Sequence, residues 1–167
     1  MSPGAHPALP GTRRRLLAAL AALGAAGMAA GASAWAAGRQ LPLASALAHE
    51  IDAALARGQP LVVMVSLHGC PFCEVVRNNY LAPMREREGL PVVQVNMHDA
   101  QALRDAQGHE SSHDAQVRAW GVSVAPTLLF LGQGGQELAP RLAGGDNDFY
   151  SALLDRRLET ARAAISR

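Results

Sequence analysis

Two cysteines, Cys70 and Cys73, are the residues of this chain whose type and spacing favour chemistry. They are the only cysteines in the sequence, and they follow the apolar run 61–67. Thiols at this spacing can close a disulfide when the first caps a helix and the second lies in its first turn. The unpaired N–H groups and positive dipole end of such a helix stabilise a thiolate on Cys70, the form that attacks disulfides. The pattern predicts thiol–disulfide exchange, with Cys73 as the resolving thiol.

Other uses of the cysteine pair fit the sequence less well. A structural disulfide that closes so short a loop adds little stability, because the entropy removed from the unfolded chain grows with loop length. Covalent haem attachment needs His directly after the second cysteine, where the chain has Glu74. A zinc site could combine Cys70 and Cys73 with His109 and His113, but this gap is long, and both histidines lie in a polar stretch typical of a solvent-exposed loop. Metal binding stays open as an alternative.

The first 37 residues predict a secretory signal peptide. Three arginines at 13–15 precede an Ala/Gly/Leu-rich stretch, and small-residue cleavage patterns occur within 32–36. A basic segment, an apolar segment and an A-x-A site are the parts of such a peptide. The sequence fits both the twin-arginine route and the general secretory route. A retained anchor over 16–37 is the alternative, although alanine and glycine make this stretch a poor membrane span.

Export would place residues 38–167 in the periplasm, an oxidising compartment where thiols become disulfides unless a reductant keeps them reduced. A reductase there needs an electron source, which a membrane thiol-transfer protein would supply.

Three of the 15 basic residues lie at 13–15 and all 14 acidic residues follow residue 37, so 38–167 has a formal charge near −2. This balance argues against nucleic acid or an anionic membrane as a partner. All basic residues are arginine, so His68 and Arg77 are the nearest candidates for tuning Cys70.

The segment after residue 38 alternates helical and strand-like patterns. Continuous β-branched apolar runs predict buried strands, and apolar residues at four-residue spacing predict helices. Strands separated by helices predict parallel pairing, and a Gly turn before the last strand predicts an antiparallel hairpin. The fold class is therefore α/β, a mixed central sheet with helices on both faces. In chain order we predict a helix over 42–57, strand 61–67, a helix from Cys70, strand 91–97, a weak helix over 99–107, loop 108–112, helix 113–120, strand 122–131, a short strand through Leu142 and a helix ending near Ile165.

The sequence also predicts where helices end and which of their faces are buried. Pro83 disfavours the helical conformation in the residue before it, so the helix from Cys70 should kink or end near Leu81. Asp146 or Asn147 is expected to cap the final helix. The apolar face of the first helix is predicted to comprise Leu43, Leu47, Ile51 and Leu55, and that of the last helix Phe149, Leu153, Leu154, Leu158, Ala161 and Ile165.

This element order, with Cys-Pro-Phe-Cys after the first core strand and Ala125-Pro126-Thr127 before a later apolar strand, resembles the thioredoxin superfamily over about residues 42–165. The resemblance implies a thioredoxin-like fold that works through a redox-active disulfide, Cys70–Cys73, without a metal or an organic cofactor. It also implies that Pro126 follows a cis peptide bond beside that disulfide. Ala125, Pro126 and Thr127 are then expected to bind a substrate strand.

The chain departs from cytosolic thioredoxins around the cysteine pair. Gly69 rather than Trp precedes the first cysteine, and Pro71 and Phe72 lie between the two. Met64 occupies the position of the buried Asp that accepts the proton of the resolving cysteine in those relatives. Pro71 suits the first helical position, where its missing N–H is not needed. We expect Pro71, Phe72 and His68 to support the cysteine pair.

The resemblance to small exported thioredoxin-like proteins implies a monomeric periplasmic thiol–disulfide oxidoreductase. Reduction of cysteine-containing exported proteins, such as apocytochromes before haem attachment, is the leading interpretation. An oxidase that donates its disulfide is one alternative, because the direction depends on the reduction potential and not on the motif. A copper chaperone is another, with Cys70 and Cys73 holding Cu(I) near His68 or His98.

Overall fold

The computed structural model describes Met1, residues 39–145 and residues 149–166. The predicted signal peptide and the predicted cap at Asp146 or Asn147 lie outside the described residues. Of the helices that are described, none combines the length and the apolar character needed to cross a bilayer.

A mixed sheet with helices on both faces forms the centre of the fold, and the predicted fold class is confirmed. In chain order the described elements are α1 (Leu47–Leu55), β1 (Leu61–Ser66), α2 (Pro71–Val76), a π-helical segment (Arg77–Leu81), α3 (Ala82–Glu88), β2 (Val92–Asn96), β3 (Ala102–Arg104), β4 (Glu110–Ser112), α4 (His113–Ala119), β5 (Thr127–Leu131), a 3₁₀ turn (Gln133–Gly135), β6 (Leu142–Ala143) and α5 (Tyr150–Ile165). The strand order is β2–β1–β5–β6. β1 is parallel to β2, and β5 is antiparallel to both β1 and β6.

Every residue of β1 and β5 is buried, because an apolar cluster covers each face of the sheet. On one face, Met64 belongs to the cluster that includes Cys73 of α2 and Leu154 of α5. On the other face, Val65 belongs to the cluster that includes Leu47 of α1 and residues of α4. Continuous apolar runs are typical of strands covered on both faces. The cysteine helix therefore packs on the Met64 face of the sheet.

The first helix is shorter than the predicted 42–57, because residues 42–46 run along the edge of the sheet. Gln94 accepts a hydrogen bond from the N–H of Ala44 at 2.9 Å and donates to the carbonyl of Pro42 at 2.8 Å. Backbone groups that pair with β2 cannot also form a helical turn. Of the predicted apolar face, Leu47 and Ile51 are buried, Leu55 is partly buried and Leu43 is exposed.

A two-stranded hairpin forms here: β3 replaces the weak helix predicted over 99–107, and β4 lies within the loop predicted over 108–112. The side chain of Asp105 accepts the backbone N–H groups two and four residues later, at 2.9 and 2.8 Å. Asp99 likewise accepts the N–H of Gln101 at 2.8 Å. Aspartates that bond nearby backbone donors favour turns over helix. The helix prediction for this stretch was therefore wrong.

β5 is antiparallel to β1, contrary to the parallel pairing predicted from the intervening helix. α4 begins beside the end of β2, where the N–H of Asn96 donates to His113 Nδ1 at 3.0 Å. Its seven residues span only about 10 Å. The chain consequently re-enters the sheet at the carboxyl end of β1, where Thr127 pairs with Val65. The strand predicted over 122–131 forms only from Thr127 onward.

The predicted break near Leu81 takes the form of a π-helical turn, and the helix continues through Pro83. The N–H of Ala82 donates to the carbonyl of Arg77, five residues earlier. Proline lacks an N–H, and its ring crowds the carbonyl four residues before it. A wider turn just before Pro83 relieves this crowding without ending the helix.

The last helix begins at Tyr150, one residue after the predicted apolar face starts. Phe149 is 73% exposed, so its predicted burial was wrong. Tyr150 takes the first buried position instead, and its ring centroid lies 5.0 Å from that of Tyr80. Burial raises the pKa of the Tyr150 hydroxyl well above its usual value. The described buried side of α5 consists of Tyr150, Leu154, Leu158 and Ala161.

His113 is fully buried, although the sequence placed it in a solvent-exposed stretch. Its Nδ1 accepts the N–H of Asn96 at 3.0 Å, so Nδ1 carries no proton. Its Nε2 therefore donates to the carbonyl of Ala44, also at 3.0 Å. One imidazole thus joins the start of α4 to β2 and to the segment 42–46.

We predict that His113→Phe lowers the free energy of unfolding by about 1–3 kcal/mol, because the N–H of Asn96 and the carbonyl of Ala44 lose their partner. Urea unfolding of the two proteins measures this difference. His109→Phe is the matched control, since His109 is exposed, and its effect should stay within about 0.5 kcal/mol. Equal stability of the His113→Phe and wild-type proteins would contradict the proposed role.

Candidate active site

A tight turn after β1 brings Cys70 to the start of a helix. The N–H of Cys70 donates to the carbonyl of Leu67 at 3.3 Å. Gly69 in this turn has φ = 69°, in the left-handed region where glycine is favoured. Cys70 is the N-cap of α2, and Pro71 takes the first helical position as predicted. The local sequence thus fixes the cysteine at a helix N-terminus.

Cys70 and Cys73 form a disulfide, with their Cα atoms 5.2 Å apart. Cys73 is fully buried, whereas Cys70 is partly exposed. The N–H of Cys73 donates to Cys70 Sγ at 3.1 Å. The helix that follows is helical from residue 71 to residue 88, and its positive dipole end lies at Cys70. In the reduced protein these two features stabilise a thiolate on the accessible sulfur.

A second segment, from Ala125 to Thr127, lies beside the disulfide. The carbonyl oxygen of Ala125 is 3.8 Å from Cys70 Sγ, although 55 residues separate them in sequence. The peptide bond between Ala125 and Pro126 is cis. Thr127 Oγ1 donates to the carbonyl of Val124 at 2.7 Å, which holds the start of β5 in place. Two motifs that lie far apart in the chain therefore meet at one site.

The turn after β6 also contacts this site, which the sequence analysis missed. The N–H of Gly144 donates to the carbonyl of Pro126 at 2.8 Å. A Cβ atom on Gly145 would lie 3.1 Å from both Phe72 Cβ and Pro126 Cγ. A side chain at position 145 would require these neighbours to shift by a few tenths of an ångström. The adjacent glycines at positions 144 and 145 are the sequence feature that could have predicted this contact.

Four half-exposed apolar residues flank the cysteine pair and Ala125 in sequence, and we call them the apolar rim. Its side chains come from the turn after β1, from α2 and from the segment that precedes Ala125. Each is 39–51% exposed. Phe72 is among them, and its supporting role stays a prediction. The rim consists of Leu67, Phe72, Val75 and Val124.

A polar groove of about 790 Å³ also opens beside Cys70. Arg77 lies in it, half-buried, and donates from Nε to Gln94 Oε1 at 2.9 Å and from Nη2 to Ser66 Oγ at 3.2 Å. Met64 is fully buried and pairs with Gln94 across the sheet. The cysteine face of β1 therefore presents a thioether where the resemblance would place a carboxylate.

Among the histidines considered as ligands or supports, His68 and His98 line the groove together with Cys70, whereas His109 and His113 do not. His68 is exposed and lines the groove, and its supporting role stays a prediction. His109 is exposed and pairs with Asp105, whereas both ring nitrogens of His113 bond to the backbone. Within 39–145 and 149–166, no three His, Cys, Asp or Glu side chains are grouped so as to hold a metal ion. The zinc arrangement with His109 and His113 is thus not assembled.

A disulfide at a helix N-terminus, beside a cis-proline segment on a mixed sheet, defines the class of thioredoxin-fold thiol–disulfide oxidoreductases. The sequence model of the thioredoxin-like domain matches residues 47–155 of this chain. Because the match spans more than half of the sequence, the chain belongs to the thioredoxin-like domain family. No curated protein matches the chain in sequence.

Solved structures of thioredoxins are similar to this chain at low sequence identity. Thioredoxin NaTrxh from Nicotiana alata is 16% identical and aligns over 72% of this chain and 96% of its own, with a TM-score of 0.46. Thioredoxin f from spinach chloroplast is 15% identical over 73% and 96%, with a TM-score of 0.47. The periplasmic thioredoxin SoxS from Paracoccus pantotrophus is 24% identical over 60% and 97%, with a TM-score of 0.40.

We predict that iodoacetamide alkylates Cys70 faster than Cys73 in the reduced protein near neutral pH. The reason is that Cys70 is partly exposed and stabilised as a thiolate, whereas Cys73 is buried. Mass spectrometry of the labelled peptides measures both rates. In urea-unfolded protein, the control, the two rates should converge. Equal rates in the folded protein would contradict the assignment.

Proposed function

We propose that this protein is an exported thiol–disulfide oxidoreductase that reduces disulfides of cysteine-containing proteins in the periplasm. One observation carries the proposal: the accessible sulfur of Cys70 lies 3.8 Å from the Ala125 carbonyl, and its partner Cys73 is buried behind it. The N-terminal pattern of a signal peptide supports export. An oxidising compartment gives a dithiol reductase a continuing supply of substrates.

The two cysteines act in sequence. The Cys70 thiolate attacks one sulfur of a substrate disulfide, the substrate S–S bond breaks, and the departing thiolate takes a proton from water. Cys73 then loses its proton to solvent and attacks the Cys70 sulfur, which closes the protein disulfide and releases the second substrate thiolate. Two electrons pass from the protein to the substrate. A membrane thiol-transfer protein would restore the dithiol.

The apolar rim supports a polypeptide as the substrate. Leu67, Phe72, Val75 and Val124 would contact apolar residues on either side of the substrate cysteine. The exposed backbone before Pro126 would align that segment beside Cys70. Such a surface recognises a partly unfolded chain, whose apolar residues are accessible, more readily than a compact folded protein.

The surroundings of Cys70 support reduction over oxidation. A strong oxidant stabilises its reduced form through several interactions with the thiolate. Among the described residues, Cys70 Sγ accepts a hydrogen bond only from the N–H of Cys73, and no arginine or histidine side chain donates to it. Arg77 donates to Gln94 and Ser66 instead. The thiolate is thus moderately stabilised, and the disulfide is a weak oxidant.

We predict that Cys73→Ser accumulates mixed disulfides with protein substrates, because Cys70 still attacks but nothing resolves the adduct. Affinity purification under non-reducing conditions, followed by mass spectrometry, identifies the captured proteins. Cys70→Ser is the matched control and should capture few, since Cys73 is buried. Capture by Cys70→Ser at the level of Cys73→Ser would count against the assigned order of attack.

We predict a reduction potential below about −180 mV for Cys70–Cys73, on the scale between disulfide isomerase and thioredoxin. The basis is the single hydrogen bond to Cys70 Sγ described above. Equilibration with glutathione at known ratios, followed by quantification of free thiols, measures this value. A potential near about −120 mV, typical of strong oxidases, would overturn the reductase proposal in favour of disulfide donation.

A further inference from the structure

The polar groove beside Cys70 holds a cation that disulfide exchange with a protein does not use. Arg77 lines this groove together with Cys70. Its two hydrogen-bond partners, Ser66 and Gln94, are themselves 1% and 8% exposed. The guanidinium is therefore held in one orientation by groups that cannot move freely.

Both partners of Arg77 are uncharged. Among the described residues, no carboxylate oxygen lies within 4.0 Å of its guanidinium. A half-buried charge without a counter-ion leaves part of its desolvation cost uncompensated. A guanidinium has five N–H donors, of which the two neutral partners use two, and its planar fork matches a carboxylate. Arg77 is thus a preformed receptor for an anion that enters the groove.

Two carboxylates also line the groove, and neither forms an ion pair with the Arg77 guanidinium. Asp99 accepts the N–H of Gln101 at 2.8 Å and the side-chain amide of Asn96 at 3.4 Å. These bonds hold the pKa of Asp99 below its usual value, so it stays ionised and engaged with its own donors. Glu74 is exposed, where water and salt screen its charge. Arg77 therefore remains, among the described residues, a groove cation that no carboxylate pairs with directly.

We propose that this groove binds small disulfides that carry a carboxylate, with the carboxylate on Arg77 and a sulfur atom beside Cys70. The proposal rests on the exchange activity proposed above and adds a class of small-molecule substrate. A volume of about 790 Å³ lies in the usual range of small-molecule sites. Organic-acid and amino-acid disulfides combine the two groups within a few bonds.

The reaction balances with the protein's own dithiol as the reductant. The Cys70 thiolate attacks one sulfur of the bound disulfide, and the departing carboxylate-bearing thiolate takes a proton from water. Cys73 loses its proton to solvent, closes the protein disulfide and releases the second thiolate. One equivalent of reduced protein therefore converts one small disulfide into two thiols.

Three disulfides of similar size test the proposal. They are 3,3′-dithiodipropionate, which has two carboxylates, neutral bis(2-hydroxyethyl) disulfide and cationic cystamine. The reduced full chain is mixed with each in single-turnover experiments, and each rate is divided by the rate of that disulfide with dithiothreitol to remove intrinsic reactivity. We expect a normalised preference of about tenfold or more for dithiodipropionate over the neutral disulfide, as one charged hydrogen bond provides. Cystamine should show no preference.

Arg77→Gln tests the assigned residue, because it removes the charge and keeps a polar side chain. The preference for dithiodipropionate should disappear in this variant. Arg87→Gln is the matched control, since Arg87 is an exposed arginine of α3 outside the groove, and it should retain the preference. No preference in the wild type, or a preference that survives Arg77→Gln, overturns the proposal.

A binding measurement on the wild type covers the case in which Arg77→Gln fails to fold. The thioether 3,3′-thiodipropionate cannot exchange, and its titration into the oxidised protein is followed by ¹⁵N NMR. We expect shifts at Arg77 Nε–H and at the side-chain amides of Gln94 and Asn96. No shift up to about 10 mM, a concentration that detects millimolar affinity, or shifts confined to residues 124–127, overturns the proposal.

The same experiments separate this inference from the proposed reductase. If the reduced protein reacts with neither the three small disulfides nor a protein disulfide such as insulin, the reductase proposal itself fails. If it reduces insulin and the neutral disulfide but shows no preference for the dicarboxylate, only the groove inference fails.

Discussion

The burial of β1 on both faces is the constraint on which the site depends. Every residue from Leu61 to Ser66 is buried, and the strand pairs with a neighbour on each side, so its carboxyl end has little freedom to move. Cys70 follows four residues later, after a turn that Gly69 allows. The same strand pairs with β5, whose first residue follows Pro126. One buried strand thus positions both the sulfur and the segment beside it.

The groove beside Cys70 depends on a different set of interactions, the side-chain hydrogen bonds of β2. Gln94 accepts from Arg77 and donates to Asn96 Oδ1 at 2.7 Å, and Asn96 in turn donates to Asp99. The backbone N–H of Asn96 donates to His113. A polar chain therefore runs from a half-buried cation to a fully buried imidazole. Hydrogen bonds that share partners in this way hold one another in place, which favours a groove that is already formed before a ligand enters.

The sequence predicts the features of this site that are local, and it fails for those that need distant partners. The cysteine spacing and Pro71 suffice to predict a helix N-terminus with an accessible first thiol. The helix predicted over 99–107 is a local exception, since aspartate bonds to nearby N–H groups turn the chain there and residues 102–104 form β3. The polar groove was not predicted at all, since Ser66, Arg77 and Gln94 come from three separate elements. Likewise, no pattern around His113 reveals partners 17 and 69 residues away.

Position 64 is methionine, where the resemblance to cytosolic thioredoxins would place a carboxylate. This difference separates the roles of the two cysteines. Met64 and Cys73 are both fully buried within the same apolar cluster. A charged thiolate is costly in such surroundings, so Cys73 remains a thiol while Cys70, at the helix N-terminus and partly exposed, becomes the thiolate. In the proposed cycle, Cys73 loses its proton after the Cys70 sulfur has entered the mixed disulfide. On the proposed mechanism, we therefore expect the absence of a carboxylate at position 64 to slow resolution relative to attack and to lengthen the life of the mixed disulfide.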